Sequence, residues 1–324
     1  MRGTVILFNI ILALILSGQG LFSQIDIINS GQKTYEPVFD ICFTPGGSAL
    51  AAAEGCKIIL YNTIDGSVIR ELKGGHMKGI LCLDISPDSA LIAAGSKDST
   101  ITIWSRDTGK LIKRFKLHDG IVTSVRFSPV GDYLFSSGTD SNICLVSIES
   151  EYVILKKHIS EKIITSIDIS SDGKMLVAVG ADGKAVLYDA MTCEVLSVLG
   201  KKMGWLRDVA FSNDDRLLIT AGDKGIITRW EMKNGNFILK DSGKKSRNWI
   251  YGVSIMDDNQ SYAFCGFDKK VIVSIEELDY YIDTGFIVFK VKFKPQSGVF
   301  PRIAVATTHG MKFLNVSSMN LKNN

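Results

Sequence analysis

Seven apolar residues recur along this chain, each closing an apolar run and opening a turn. They are Phe43 in FTPGG, Ile85 in ISPDS, Phe127 in FSPVG, Ile169 in ISSDG, Phe211 in FSNDD, Ile255 in IMDDN and Phe293 in FKPQSG. The first five follow one another at steps of 42 residues, the sixth comes after 44 and the seventh after 38. Identical steps of this kind do not arise by chance. One small unit is written seven times, and the fold must be one in which such a unit is stable only beside its copies.

Within a unit the apolar pattern has a period of two, which means strands. ILCLDIS, IVTSVRFS and IITSIDIS are examples of the first run. A turn rich in Pro, Asp and Gly leads to a run of small residues, as in LIAAGS, and a second turn around Asp98 leads to TITIWS. The turn RDTGK then opens a fourth run, LIKRF. Four short strands with tight turns take about forty residues. No amphipathic helical stretch lies between units, which argues against a βαβ array. Four-stranded antiparallel units must cover both faces against neighbours, and closing them into a ring does so while leaving only short edges. The expectation is an all-β, seven-bladed β-propeller over residues 24–324. The seventh unit has only three runs, IVFKVKF, RIAVATT and MKFLNV, whereas IDIINS (Ile25–Ser30) precedes the first unit with nothing to pair with. The N-terminal strand is therefore expected to complete the last blade.

The spacing of polar residues within the units resembles that of the WD-repeat propellers. Asp98, Asp140, Asp182 and Asp268 each stand 13 residues after their anchors, and His76 and His118 each stand nine before theirs. Trp104 and Trp230 occupy the family's tryptophan position, which elsewhere holds Tyr61, Val146 and Tyr188. The resemblance implies a structural hydrogen-bond network of His76, Asp98 and Trp104, with Cys82 where a Ser or Thr is usual. In the next unit it implies His118, Ser124 and Asp140. It also puts the loops entering each first strand on the same face as the Asp turns.

Ahead of the repeats, Arg2 precedes an apolar run of 12 residues, Val5–Leu16, and then SGQGLFS. As a helix that run reaches about 18 Å, short of a ~30 Å hydrocarbon core. It reads as a secretory signal over residues 1–23, cleaved after Ser23. The expected location is extracytoplasmic, secreted or periplasmic, with no stable membrane insertion after cleavage. The six cysteines are scattered without the close spacing of a staple or a zinc site, so small buried hydrophobes are expected and no disulfide.

Function is less legible. A net charge of +3 over 324 residues gives no charge-based reason to expect nucleic-acid binding. There are four histidines, and GxSxG, HExxH and phosphate-cradling loops are missing. GADGK and AGDKG fall at the repeat's turn position, where turn chemistry accounts for them. No cofactor, metal or catalytic residue is assigned. Bases gather in the entering loops and acids at the opposite face, and two tryptophans, Trp205 and Trp249, each stand six residues before an anchor on adjacent units. With Arg207, Tyr251, Lys245 and Arg247 they form a candidate partner-binding patch. The resulting expectation is a monomeric, non-enzymatic interaction platform whose top face takes an anionic or amphipathic protein segment. The alternative is a propeller hydrolase or lyase with its site at the channel mouth, which clustered, perturbed carboxylates there would favour.

Overall fold

A computed structural model of the protein describes residues 28–29, 36–276, 278–295 and 302–315. The described residues form seven four-stranded antiparallel sheets and no helix. In blade 1 the strands are Val38–Phe43, Ala49–Glu54, Lys57–Asn62 and Val68–Leu72, called a to d from the centre outward. All seven apolar anchors are the last residues of strand a. Neighbouring a strands touch in succession, and that of blade 7 (Val288–Phe293) meets that of blade 1, so the ring closes.

The closing strand is the expected one. Ile28–Asn29 pairs antiparallel to Gly310–Asn315, with Ile28 opposite Phe313, and supplies the fourth strand of blade 7. The segment 1–23, read above as a signal, lies outside the described residues.

Seven buried apolar clusters each draw on two adjacent blades. Between blades 2 and 3, for example, Ile101 and Ile103 pack with Val122, Val125 and Leu134. Each fully buried Ile or Leu contributes about 1.5–3 kcal/mol, so the interface between blades, rather than the single sheet, is the unit of stability. This is why strand b is built from small residues such as Ala51, Ala52 and Ala53, all fully buried between neighbouring sheets. The six cysteines are free thiols. Burial pushes the Cys144 thiol up to about 12 and the Cys193 thiol to about 11, so both are poor nucleophiles.

In every blade the pairing of strand a with strand b slips once near its start. The residues at the slip are Phe39 with Asp40, then Leu81, Thr123, Thr165, Arg207, Tyr251 and Phe289. A bulge of this kind re-aims the side chain of the extra residue. On one side of the ring the re-aimed hydroxyls tie blades together: Thr123 Oγ1 donates to Ile164 O (2.8 Å) and Thr165 Oγ1 to Leu206 O (2.6 Å). On the other side they are aromatic or cationic.

Candidate interaction surface at the channel mouth

Two blades carry the histidine network, and its hydroxyl lies elsewhere than the spacing implied. In blade 2, His76 Nδ1 lies 3.1 Å from Asp98 Oδ2 and Nε2 lies 2.8 Å from Thr102 Oγ1. The indole N–H of Trp104 donates to that same Thr102 oxygen at 2.9 Å. Cys82 is not part of this chain; its thiol points to Val122 O of the next blade. In blade 3, His118 Nδ1 meets Asp140 Oδ1 at 2.9 Å and Nε2 meets Ser136 Oγ at 2.9 Å. Ser124 is not in that network and faces Ile167 O. The pairing explains the correction. Thr102 sits directly across from Ala94, and Ser136 across from Cys144. One hydroxyl per pair suffices, and it can come from either strand.

Burial holds both imidazoles below their ordinary value, outweighing the lift from Asp98 and Asp140. Burial pushes the Asp98 carboxyl up, but hydrogen bonds from Thr100 and the Met77 N–H, together with His76, bring it to about 2. The pair at neutral pH is thus a carboxylate and a neutral imidazole.

The channel wall holds a set of charges that the sequence reading did not single out. Asp40 Oδ2 accepts the Leu83 N–H (2.8 Å), Asp84 Oδ2 the Phe127 N–H (2.7 Å), Asp168 Oδ2 the Phe211 N–H (2.8 Å) and Asp208 Oδ2 the Val253 N–H (2.9 Å). Each acid thus joins its own a strand to the next one. Arg126 Nε bonds Asp168 at 3.1 Å. Lys290 Nζ reaches Asp208 at 2.7 Å, passing the a strand of blade 6, where Gly252 leaves room. Burial raises the Asp84 carboxyl above its usual range, whereas the Lys290 ammonium overcomes burial and holds Asp208 below it. These carboxylates are engaged in holding the ring.

At the rim, on the face of the His–Asp turns, lies the patch built around the two tryptophans. The Trp205 carbonyl accepts the Asp223 N–H at 2.9 Å and the Trp249 carbonyl accepts the Phe267 N–H at 3.0 Å. A Cβ on Gly222 or Gly266 would collide with these carbonyl oxygens, so glycine is needed there for the close approach. The backbone is locked and the rings stay outside, with Trp205 37% and Trp249 45% exposed. Between them lies the guanidinium of Arg207, 4.5 Å from the Trp205 ring centre, 5.2 Å from Trp249 and 5.3 Å from Tyr251. Asp223 fixes it with two contacts, Nε–Oδ1 at 2.5 Å and Nη2–Oδ2 at 3.3 Å. Stacking of this kind contributes about 0.5–2 kcal/mol per ring.

The patch extends further than the sequence suggested. Trp249 contacts the exposed Phe267 (5.8 Å between centres), and Tyr251 contacts Phe289 (5.7 Å). Phe289 contacts Phe39 (5.0 Å), above which Lys97 Nζ stands at 4.7 Å. The result is an aromatic arc running from blade 5 through blades 6, 7 and 1 to Lys97 in blade 2. Of the six residues expected to form the patch, Trp205, Arg207, Trp249 and Tyr251 come together. Lys245 does not: its ammonium pairs with Asp279 at 2.8 Å on strand d of blade 6. Arg247 is exposed in the same loop and makes no contact recorded with the arc. Phe39, Phe289 and Phe267 were missed. Reading the column four residues before each anchor would have found the first two, because that column is the bulge.

A family model for the IFT122 first beta-propeller matches residues 37–311. The chain belongs to the IFT122 first-β-propeller family. Together with the seven blades and the repeat spacing, this makes it a WD-repeat propeller. The intraflagellar transport protein 122 homolog of Danio rerio is 32% identical over 112 residues, which cover 35% of this chain and 9% of that protein. Cilia- and flagella-associated protein 52 of Sus scrofa is 30% identical over 97 residues, 30% of this chain and 16% of that one. Pre-mRNA-processing factor 19 of Bos taurus is 26% identical over 98 residues, 30% and 19% respectively. The matched stretch is thus a minor part of each of these longer relatives. These kinships overturn the extracytoplasmic location expected from the N-terminal run. Members of the IFT122 first-β-propeller family and their kin are named for intraflagellar transport and for cilia and flagella, not for a secreted or periplasmic setting. An apolar run behind a single arginine is a weak address, and it outweighed too readily a repeat pattern that carries far more information.

Proposed function

We propose that this propeller is a non-enzymatic platform for protein–protein interaction, and that the aromatic arc at its channel mouth is the docking surface. Its WD-repeat relatives support the general role. The observation that carries the specific one is a contiguous arc of aromatic rings, three of them well exposed, stacked about an arginine whose charge Asp223 already balances. Large, pre-positioned aromatic side chains around an Arg are what interface hot spots are made of. With Arg207 and Lys245 both engaged by carboxylates, the surface favours an amphipathic segment that presents apolar side chains over a purely anionic one.

The test is Trp205→Ala combined with Trp249→Ala. A photo-crosslinking residue placed at Phe267 captures the partner in cells. The double variant is expected to abolish capture and leave the melting temperature nearly unchanged, because both rings are largely solvent-exposed. A large fall in melting temperature, or undiminished capture, refutes the assignment.

A further inference from the structure

Blade 5 departs from blades 2 and 3 at one place, and the departure leaves a cavity. Nine residues before the anchor, where those blades carry His76 and His118, blade 5 carries Lys202; thirteen after it, where they carry Asp98 and Asp140, it carries Lys224. The tryptophan is kept as Trp230, but without a partner: its indole Nε1 is buried and makes no hydrogen bond, and the nearby Thr220 hydroxyl is equally unpaired. Thr228, the counterpart of Thr102, has turned to Ser242 at 3.0 Å. The vacated space encloses about 370 Å³. Leu206, Ile226 and Trp230 line its floor, and Lys201, Lys202 and Lys224 stand around it, all three exposed. No acidic residue lines it.

Blade 4 serves as an internal control. It too lacks the histidine, with Ser160 at that position, yet its cavity at the same place is only about 170 Å³ and keeps Asp182 in its lining. Loss of the histidine alone therefore gives a small cavity with a carboxylate. Blade 5 has instead replaced both members of the His–Asp pair by cations and opened a space in the size range of small-molecule sites.

We infer that this cavity binds a small amphipathic anion, a carboxylate carried on an aromatic or short aliphatic body. The apolar floor takes the body. The lysines, with the unsatisfied indole N–H behind them, supply donors and no competing acceptor charge, which suits a carboxylate and disfavours a cation. The site is separate from the aromatic arc, and variation of Trp205 and Trp249 leaves it intact.

Phenylacetate and its neutral counterpart phenylacetamide test this on the full chain, by calorimetry and by the indole N–H resonances of the four tryptophans. Trp205→Phe, Trp249→Phe and Trp230→Phe assign the resonances. Phenylacetate is expected to saturate the protein and move the Trp230 resonance, and the amide to bind about tenfold weaker or less. Lys202→Gln with Lys224→Gln, both at exposed positions, is expected to weaken phenylacetate by about tenfold or more without changing the melting temperature. Equal binding of acid and amide, or no saturation by about 5 mM, overturns the inference. So does undiminished binding in the double lysine variant, an arm that decides the matter even if Trp230→Phe does not fold.

Discussion

At the scale of single residues, the histidines make stability depend on pH in a defined direction. His76 and His118 titrate below their ordinary value in the folded chain and near it in the unfolded one. Below about pH 6.5 the unfolded chain then binds more protons than the folded one, so stability falls on acidification. Asp98, at about 2 when folded, acts in the same sense at lower pH, its contribution being lost as pH falls below about 4. The melting temperature is expected to drop between pH 7 and pH 5, and His76→Gln with His118→Gln is expected to flatten that slope. The corrected network makes a second prediction. Ser136→Ala strips His118 of its buried partner and should cost about 1–3 kcal/mol in denaturant unfolding, with Ser124→Ala well below it. The histidines, aspartates and tryptophan were legible because they sit at fixed distances from the anchors. The hydroxyls were not, because Thr102 and Ala94 exchange roles across a strand pair, and spacing along one strand carries no trace of its partner.

At the scale of the strand, the chain reports some things and hides others. Strand ends were legible at every anchor, since each apolar run stops where a turn motif begins. The bulge in strand a was not, because an extra residue disturbs a two-residue alternation only locally and looks like ordinary irregularity. Yet the bulge decides the surface: it is what aims Arg207, Tyr251, Phe289 and Phe39 toward one another. The carboxylate bonds between a strands were also hidden, since Asp in a strand reads as a solvated residue until its neighbour is known. Their importance can be measured. Asp168→Ala removes the acceptor of the Phe211 N–H and the partner of the buried Arg126 together. It should destabilise the protein by about 3–5 kcal/mol, whereas an exposed turn acid such as Asp88 should be nearly silent.

At the scale of the whole molecule, the ring is closed by a strand of two described residues, and this closure followed from counting: three runs at one end and a spare one at the other. A chain starting at Gln32 would leave Gly310–Asn315 as an open edge. It is expected to melt at a lower temperature and to associate with rising concentration in sedimentation, because an unpaired strand invites another chain. A truncated chain that stays monomeric and equally stable would show that the clasp is dispensable. The closure also orders events in time. The segment that emerges first from the ribosome is the last to find its place, since its neighbour, Gly310–Asn315, is made almost at the end of synthesis. Until then blades 1 and 6 each present an uncovered oily flank, and the half-made ring depends on whatever shields nascent chains.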